Sequence, residues 1–301
     1  SSIIDYTKIL LTIRSKIKFM QIFKHTMKSN STMTLDEILE DSSNIHLLNS
    51  HITGRVMLNY SGCIGGDHSC KSDDAKDSFM APVLAHIIYH DVYGYFLIDA
   101  GVDRSFIDDK YGSQKGLLKN EYATEIIQHQ HQPIADYIEE NDIKLSGIFL
   151  THLHFDHVSG ILDLDDNIPI YFSSLEKSMD LKPYYYGEYF KNKENIAILD
   201  INDFTPTKYG TFYDIFGDNS LLAIHTPGHT NGHLAYLINS DIKTIIAGDV
   251  FYIKDSLKYK KAPTDYMQNI TQAQITLEKI IQLYDDYKDK YYTNTDGNKI
   301  Y

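Results

Sequence analysis

Directly after the apolar, strand-like run Gly147-Ile148-Phe149-Leu150, the chain reads Thr151-His152-Leu153-His154-Phe155-Asp156-His157, with three histidines and an aspartate inside six residues. Few folds tolerate such a cluster. Crowded imidazoles and a carboxylate cost desolvation and repel when protonated, whereas a divalent zinc, iron or manganese ion takes neutral imidazole and ionised carboxylate as ligands. On an extended strand end side chains alternate, so His152 and His154 point to one side, and a turn after Phe155 brings Asp156 and His157 to a second position. The spacing predicts two adjacent metals. Ligand types recur at two later strand ends: His225-Thr226-Pro227-Gly228-His229 follows Leu221-Leu222-Ala223-Ile224, and Ala247-Gly248-Asp249 follows Lys243-Thr244-Ile245-Ile246.

Taken together these residues resemble the metallo-β-lactamase fold superfamily of hydrolases, whose H-x-H-x-D-H motif is matched by His152, His154, Asp156 and His157. Phe96-Leu97-Ile98-Asp99-Ala100-Gly101 is similar to the family's first motif, His229 to its later single histidine and Asp249 to its bridging aspartate; the pattern runs from about residue 80 to residue 296. The resemblance implies an α/β (α+β) chain folded as a four-layer αββα sandwich of two mixed β-sheets flanked by helices. It also implies that His152, His154 and His229 hold one metal, that Asp156 and His157 hold the other, and that Asp249 bridges them. Asp99 would accept a hydrogen bond from a ligand and so orient it. One departure stands out. Relatives bring a last histidine to the second metal, whereas the matching segment here, residues 292–296, puts Thr295 in its place, and a hydroxyl is a poor ligand for such an ion. A working two-metal site, a one-metal enzyme and a degenerate site that only binds are all compatible with that change.

The same resemblance implies the chemistry: a metal-dependent hydrolase in which hydroxide activated at the metal attacks the carbonyl of a lactone or related ester. Asp156 would shuttle a proton to the leaving group. Tyr252, three residues after Asp249, stands where the quorum-quenching N-acyl-homoserine lactonases of this superfamily carry a tyrosine that contacts the substrate carbonyl. Thioester or phosphodiester hydrolysis on the same fold is the enzymatic alternative, and a non-catalytic ligand-binding protein with a degenerate second site is the alternative from another class. Tyr184-Tyr185-Tyr186 reads either as an aromatic wall for an acyl chain or as a packed flap.

Composition narrows the partners. A net charge of −13 argues against nucleic acid and anionic membrane, which select basic surfaces; the partner that the resemblance implies is a small-molecule ester or lactone. The 301 residues, 43% hydrophobic, suffice for one large core, and Cys63 and Cys70 are too few for a disulfide scaffold, though a local pair is compatible with their spacing. Ile9-Leu10-Leu11-Thr12-Ile13, flanked by Lys8, Arg14, Lys16 and Lys18, is too short to span a bilayer and reads as an amphipathic helix. Residues 1–50 are thus expected to form a helical extension with a role in homodimer formation, and residues 51–301 the hydrolase domain. A cytoplasmic location is expected, with export after leader removal left open by a first residue that is serine.

Short β-rich runs at 52–60, 82–90, 93–99 and 147–150 read as one sheet, and those at 168–172, 196–199, 221–226, 233–239 and 243–247 as the second. A helix is expected over 133–141, and another near the end with Ile270, Ala273, Leu277, Ile281 and Tyr284 on its buried face. His129 and His131 precede a helix rather than end a strand and read as exposed polar residues; His86, His225 and His233 read as hydrogen-bonded histidines.

Overall fold

The computed structural model describes residues 34–39, 44–66, 77–114, 124–176 and 187–291. The expected amino-terminal helix, Asp67, His68, Cys70, Tyr184 to Tyr186 and Thr295 lie outside the described residues. In chain order the elements are α1 (Leu35–Ile38), β1 (Ile45–Asn59), α2 (Tyr60–Cys63), β2 (Ser78–His90), β3 (Gly94–Ile98), β4 (Ile126–Ile127), α3 (Ile134–Glu140), β5 (Leu145–Phe149), α4 (Phe155–Val158), β6 (Ile170–Ser173) and β7 (Ile196–Leu199). After them come β8 (Thr205–Thr207), β9 (Gly210–Asp214), β10 (Leu221–His225), β11 (Leu234–Ile238), β12 (Thr244–Ile246), α5 (Lys254–Tyr259) and α6 (Ile270–Tyr291).

Two sheets result. One is seven-stranded in the order β4-β1-β2-β3-β5-β6-β7, the other five-stranded in the order β12-β11-β10-β9-β8. The period of two along each strand divides the core into layers. Ile87, Leu97 and Ile148 face outward from the first sheet onto Ile134 of α3 and Phe155 and Val158 of α4. Their strand neighbours Ile88, Phe96, Ile98 and Phe149 face inward, onto Leu221, Ala223, Leu234 and Tyr236 of the second sheet. Leu222, Ile224, Ala235 and Leu237 then pack on Ala273, Leu277, Ile280 and Leu283 of α6. Helices therefore cover both outer faces, which is the expected four-layer arrangement.

Several expectations are corrected. β6 and β7 belong to the first sheet, not the second, because they pair in parallel with β5 and with each other. β1 begins at Ile45, so residues 45–50, assigned by sequence to the extension, form the first part of the long β1–β2 ladder, in which Ile45 pairs with His90. The buried face of α6 is Ala273, Leu277, Ile280, Leu283 and Tyr287, rotated from the predicted stripe, with Ile270 exposed. Among the described residues no helix is long and apolar enough to cross a membrane.

Candidate metal centre

Parallel pairing of β3 with β5 sets the site's first geometry. Ile98 lies opposite Phe149, and Asp99 N–H donates to Phe149 O at 2.8 Å, so the residues that follow both strands leave the sheet side by side. The chain past β5 meets the second sheet where Leu234 N–H donates to Thr151 O at 2.8 Å. The loop between β10 and β11 brings His229 to the same edge, and the turn after β12 brings Asp249. Gly228 is required there: its φ is +141°, and a Cβ would stand 2.4 Å from Ala273 Cα of α6.

Three imidazoles converge. His229 Nε2 stands 2.9 Å from His152 Nε2 and 2.7 Å from His154 Nδ1, and those two are 2.9 Å apart. A closed triangle of ring nitrogens cannot be satisfied by hydrogen bonds, because a nitrogen offers either one N–H or one lone pair. A cation that accepts three lone pairs satisfies it. Asp249 completes the group: one atom from each of His152, His154, His229 and Asp249 lies within 4.8 Å of the others. The donor set fits a divalent transition ion, and these four residues could hold it.

Outer partners fix the imidazoles. Thr151 Oγ1 donates to Asp99 Oδ2 at 2.9 Å and faces His152 Nδ1 at 3.0 Å, so it accepts the Nδ1 proton and leaves the Nε2 lone pair directed inward. Asp99 also accepts from His157 Nδ1 at 2.7 Å and from Thr151 N at 2.8 Å. Asp99 thus bonds both Thr151, beside His152, and His157. His157 Nε2, held in this way, faces Asp249 Oδ1 at 3.2 Å and Asp156 Oδ2 at 3.8 Å. Asp249 Oδ2 faces His229 Nε2 at 3.1 Å, so the two oxygens of one carboxylate point to the two halves of the site.

The electrostatics follow from burial and from these neighbours. Burial first, then the facing imidazoles, hold His152 well below the ordinary histidine value, and burial takes His154 down to about 3. Both therefore stay neutral and able to ligate. Burial would raise Asp249, but His157 and His229 hold it far below the usual carboxylate range. Burial pushes Asp156 up to about 6 against the pull of His157.

Tyr252 is tied into the same network. Its hydroxyl donates to Asp265 O at 3.0 Å and stands 3.2 Å from His229 Nδ1. The single phenolic proton is thus committed, and the oxygen is free to accept from His229, a contact that the sequence did not offer. The other histidines are separately satisfied: His225 Nε2 faces Asn231 O at 2.9 Å, His233 Nδ1 faces Thr226 Oγ1 at 2.7 Å, and His131 Nδ1 faces Glu140 at 2.7 Å. His86 forms part of the cleft wall with Nδ1 2.9 Å from Ser50 Oγ.

Above the cluster opens a cleft of about 340 Å³ whose apolar wall includes Val56, Leu58, Val83, Phe155 and Phe251, with Lys254 and Tyr266 also lining it. Neither Lys254 nor Tyr266 was singled out by motif, because an exposed residue that opens a short helix and one in a turn carry no periodic signal.

Comparison with known proteins places this arrangement. The model of the metallo-beta-lactamase superfamily matches residues 82–287. A hydroxyacylglutathione hydrolase of Francisella philomiragia is 30% identical over 152 residues, 50% of this chain and 52% of that protein. One from Shewanella loihica is 32% identical over 119 residues, 40% of this chain and 38% of its own length. The chain thus spans about half the length of the first relative and less of the second. Among solved structures, an N-acyl homoserine lactone hydrolase with N-hexanoyl-L-homoserine bound at its catalytic metal center superposes with TM-score 0.64 at 18% identity, over 82% of this chain and 90% of that one. A dizinc quorum-quenching lactonase gives 0.54 at 13% identity, over 82% and 89%. Those two likenesses bear on the fold, and the family match covers most of the chain, cluster included: this chain belongs to the metallo-beta-lactamase superfamily.

Proposed function

We propose that the chain is a metal-dependent hydrolase that opens a lactone or related ester. The observation that carries this reading is the convergence of His152, His154, His229 and Asp249 at the floor of a largely apolar cleft. His152, His154 and His229 would hold one ion and Asp156 and His157 a second, with Asp249 within reach of both groups; zinc would suit the donors best, and iron or manganese would be compatible with them. Bound there, such an ion supplies a Lewis acid for the carbonyl oxygen and lowers the pKa of water toward neutrality.

The chain's own residues do the rest. The apolar wall takes the acyl part of the substrate and excludes water, while Asp99 and Thr151 keep His157 and His152 aimed inward. Asp156 is placed to take a proton at its carboxylate and return it to the leaving oxygen. Tyr252 either keeps its bond to Asp265 and supports His229 or turns its hydroxyl to the substrate carbonyl. A second reading, thioester hydrolysis, draws support from relatives named for hydroxyacylglutathione and from Lys254, an exposed cation beside the cleft that suits a carboxylate-bearing thiol.

Metal analysis of the purified protein, paired with a panel of lactones and acyl thioesters, tests this. Bound metal with turnover that chelation abolishes is expected. A protein that binds metal yet hydrolyses neither class would instead be a ligand-binding member of the fold.

A further inference from the structure

Among the described residues Glu176 is a buried carboxylate that the hydrolytic reading does not use. Glu176, just after β6, is 2% exposed. Its Oε2 accepts from Leu153 N at 3.3 Å, and its Oε1 accepts from Gly232 N at 3.2 Å and from the Thr230 hydroxyl. Leu153 lies between His152 and His154, and Thr230 directly follows His229. One side chain therefore grips both loops whose imidazoles converge.

From this geometry we infer that Glu176 is a positioning residue of the metal centre, a carboxylate clamp that fixes the distance between the His152–His154 loop and the His229 loop. The inference rests on the proposed metal site. A carboxylate taken out of water is costly, and among the described residues no Lys or Arg pairs with this one. Burial pushes its carboxyl up to about 7, while the three donors pull it back. An apolar side chain would fill the space at lower cost but would leave the buried Gly232 N–H and Thr230 hydroxyl, and the half-buried Leu153 N–H, without this acceptor. Gly232 is shaped to the clamp: a Cβ there would lie 2.5 Å from Glu176 N and 2.9 Å from Oε1.

Glu176→Gln keeps the volume. Its amide oxygen can replace Oε1, but its NH₂ then faces the Leu153 N–H, donor against donor, so the grip on the His152–His154 loop is lost. Zinc dissociation constants from competition with a chromophoric chelator, together with the visible spectrum of the cobalt-substituted protein, supply the test. Outer partners of metal ligands typically contribute about ten- to a hundredfold in affinity, and a loss in that range with an altered cobalt spectrum is expected for Glu176→Gln. A folded variant with unchanged affinity and spectrum overturns the inference, even if its melting temperature falls. Should Glu176→Gln not fold, Thr230→Val removes one donor at nearly constant volume; a smaller affinity loss supports the clamp, and unchanged affinity overturns it. Wild-type protein that binds no ion would overturn the metal reading itself, before any variant is compared.

Discussion

His90 and His152 are both buried imidazoles at a strand end of the first sheet, yet their surroundings are opposite. His90 Nε2 faces Asp218 Oδ2 at 2.8 Å, its Nδ1 accepts from Val92 N at 3.1 Å, and its ring packs against Tyr93 and Phe216. Each nitrogen has one partner, of opposite character. His152 Nδ1 is likewise settled on Thr151, but its Nε2 faces two other ring nitrogens, each at 2.9 Å. Burial and residue type are therefore shared by a structural histidine and a candidate ligand, and what separates them is whether hydrogen bonds complete both nitrogens.

Removing the ion breaks this comparison most sharply. Chelation, or His152→Ala, is expected to reduce hydrolysis to the rate of the blank and to lower stability. An ion present at about a thousand times its dissociation constant contributes about 4 kcal/mol, so thermal unfolding with and without chelator reads the loss directly. His90→Phe should leave metal content intact. If chelator moved neither turnover nor melting, the ring triangle would not be a metal site.

Asp99→Asn comes next. Thr151 N donates to Oδ1 and His157 Nδ1 to Oδ2, and an amide has only one accepting oxygen, so either Thr151 N or His157 loses its anchor. A loss of about ten- to a hundredfold in affinity for the second ion or in turnover is expected, seen by metal titration alongside kinetics. Tyr252→Phe should cost less, at most about tenfold in affinity at the His229 side, because only one long contact to Nδ1 disappears. A fall of about a hundredfold in kcat with affinity unchanged would instead assign the phenol to the substrate carbonyl.

Much of the site was legible in the sequence, since each donor type is encoded locally, immediately after an apolar strand. His152, His154, His229 and Asp249 were legible as ligand types close after strands, the resemblance implied their grouping, and the structure brings one atom of each within 4.8 Å of the others. Sheet membership was not local. Ile170–Ser173 and Ile196–Leu199 are apolar runs that could fill either sheet, and the parallel pairing of β6 with β5 and of β7 with β6 decided the matter. β4 and β8, of two and three residues, are too short to show a period. Glu176 was invisible for a related reason: its three donors come from loops 23 to 56 residues away, and nothing in its own neighbourhood announces burial.

The least disturbance to the metal centre is expected from the His90 pair, which makes it the control that sharpens the comparison. Burial would raise Asp218, but hydrogen bonds from Ser220 and His90 win and hold its carboxyl below the ordinary value. A carboxyl whose folded pKa is depressed contributes stability that is present above its unfolded pKa, about 4, and lost as pH falls through the folded one. Asp218→Asn should therefore be less stable than wild type at neutral pH, with the gap closing in acid, while zinc content at neutral pH stays the same. Denaturant unfolding of the metal-free proteins across that range reads the gap. A gap independent of pH would mean that the ionised carboxylate of Asp218 is not what holds His90, and the contrast with His152 would then rest on packing alone.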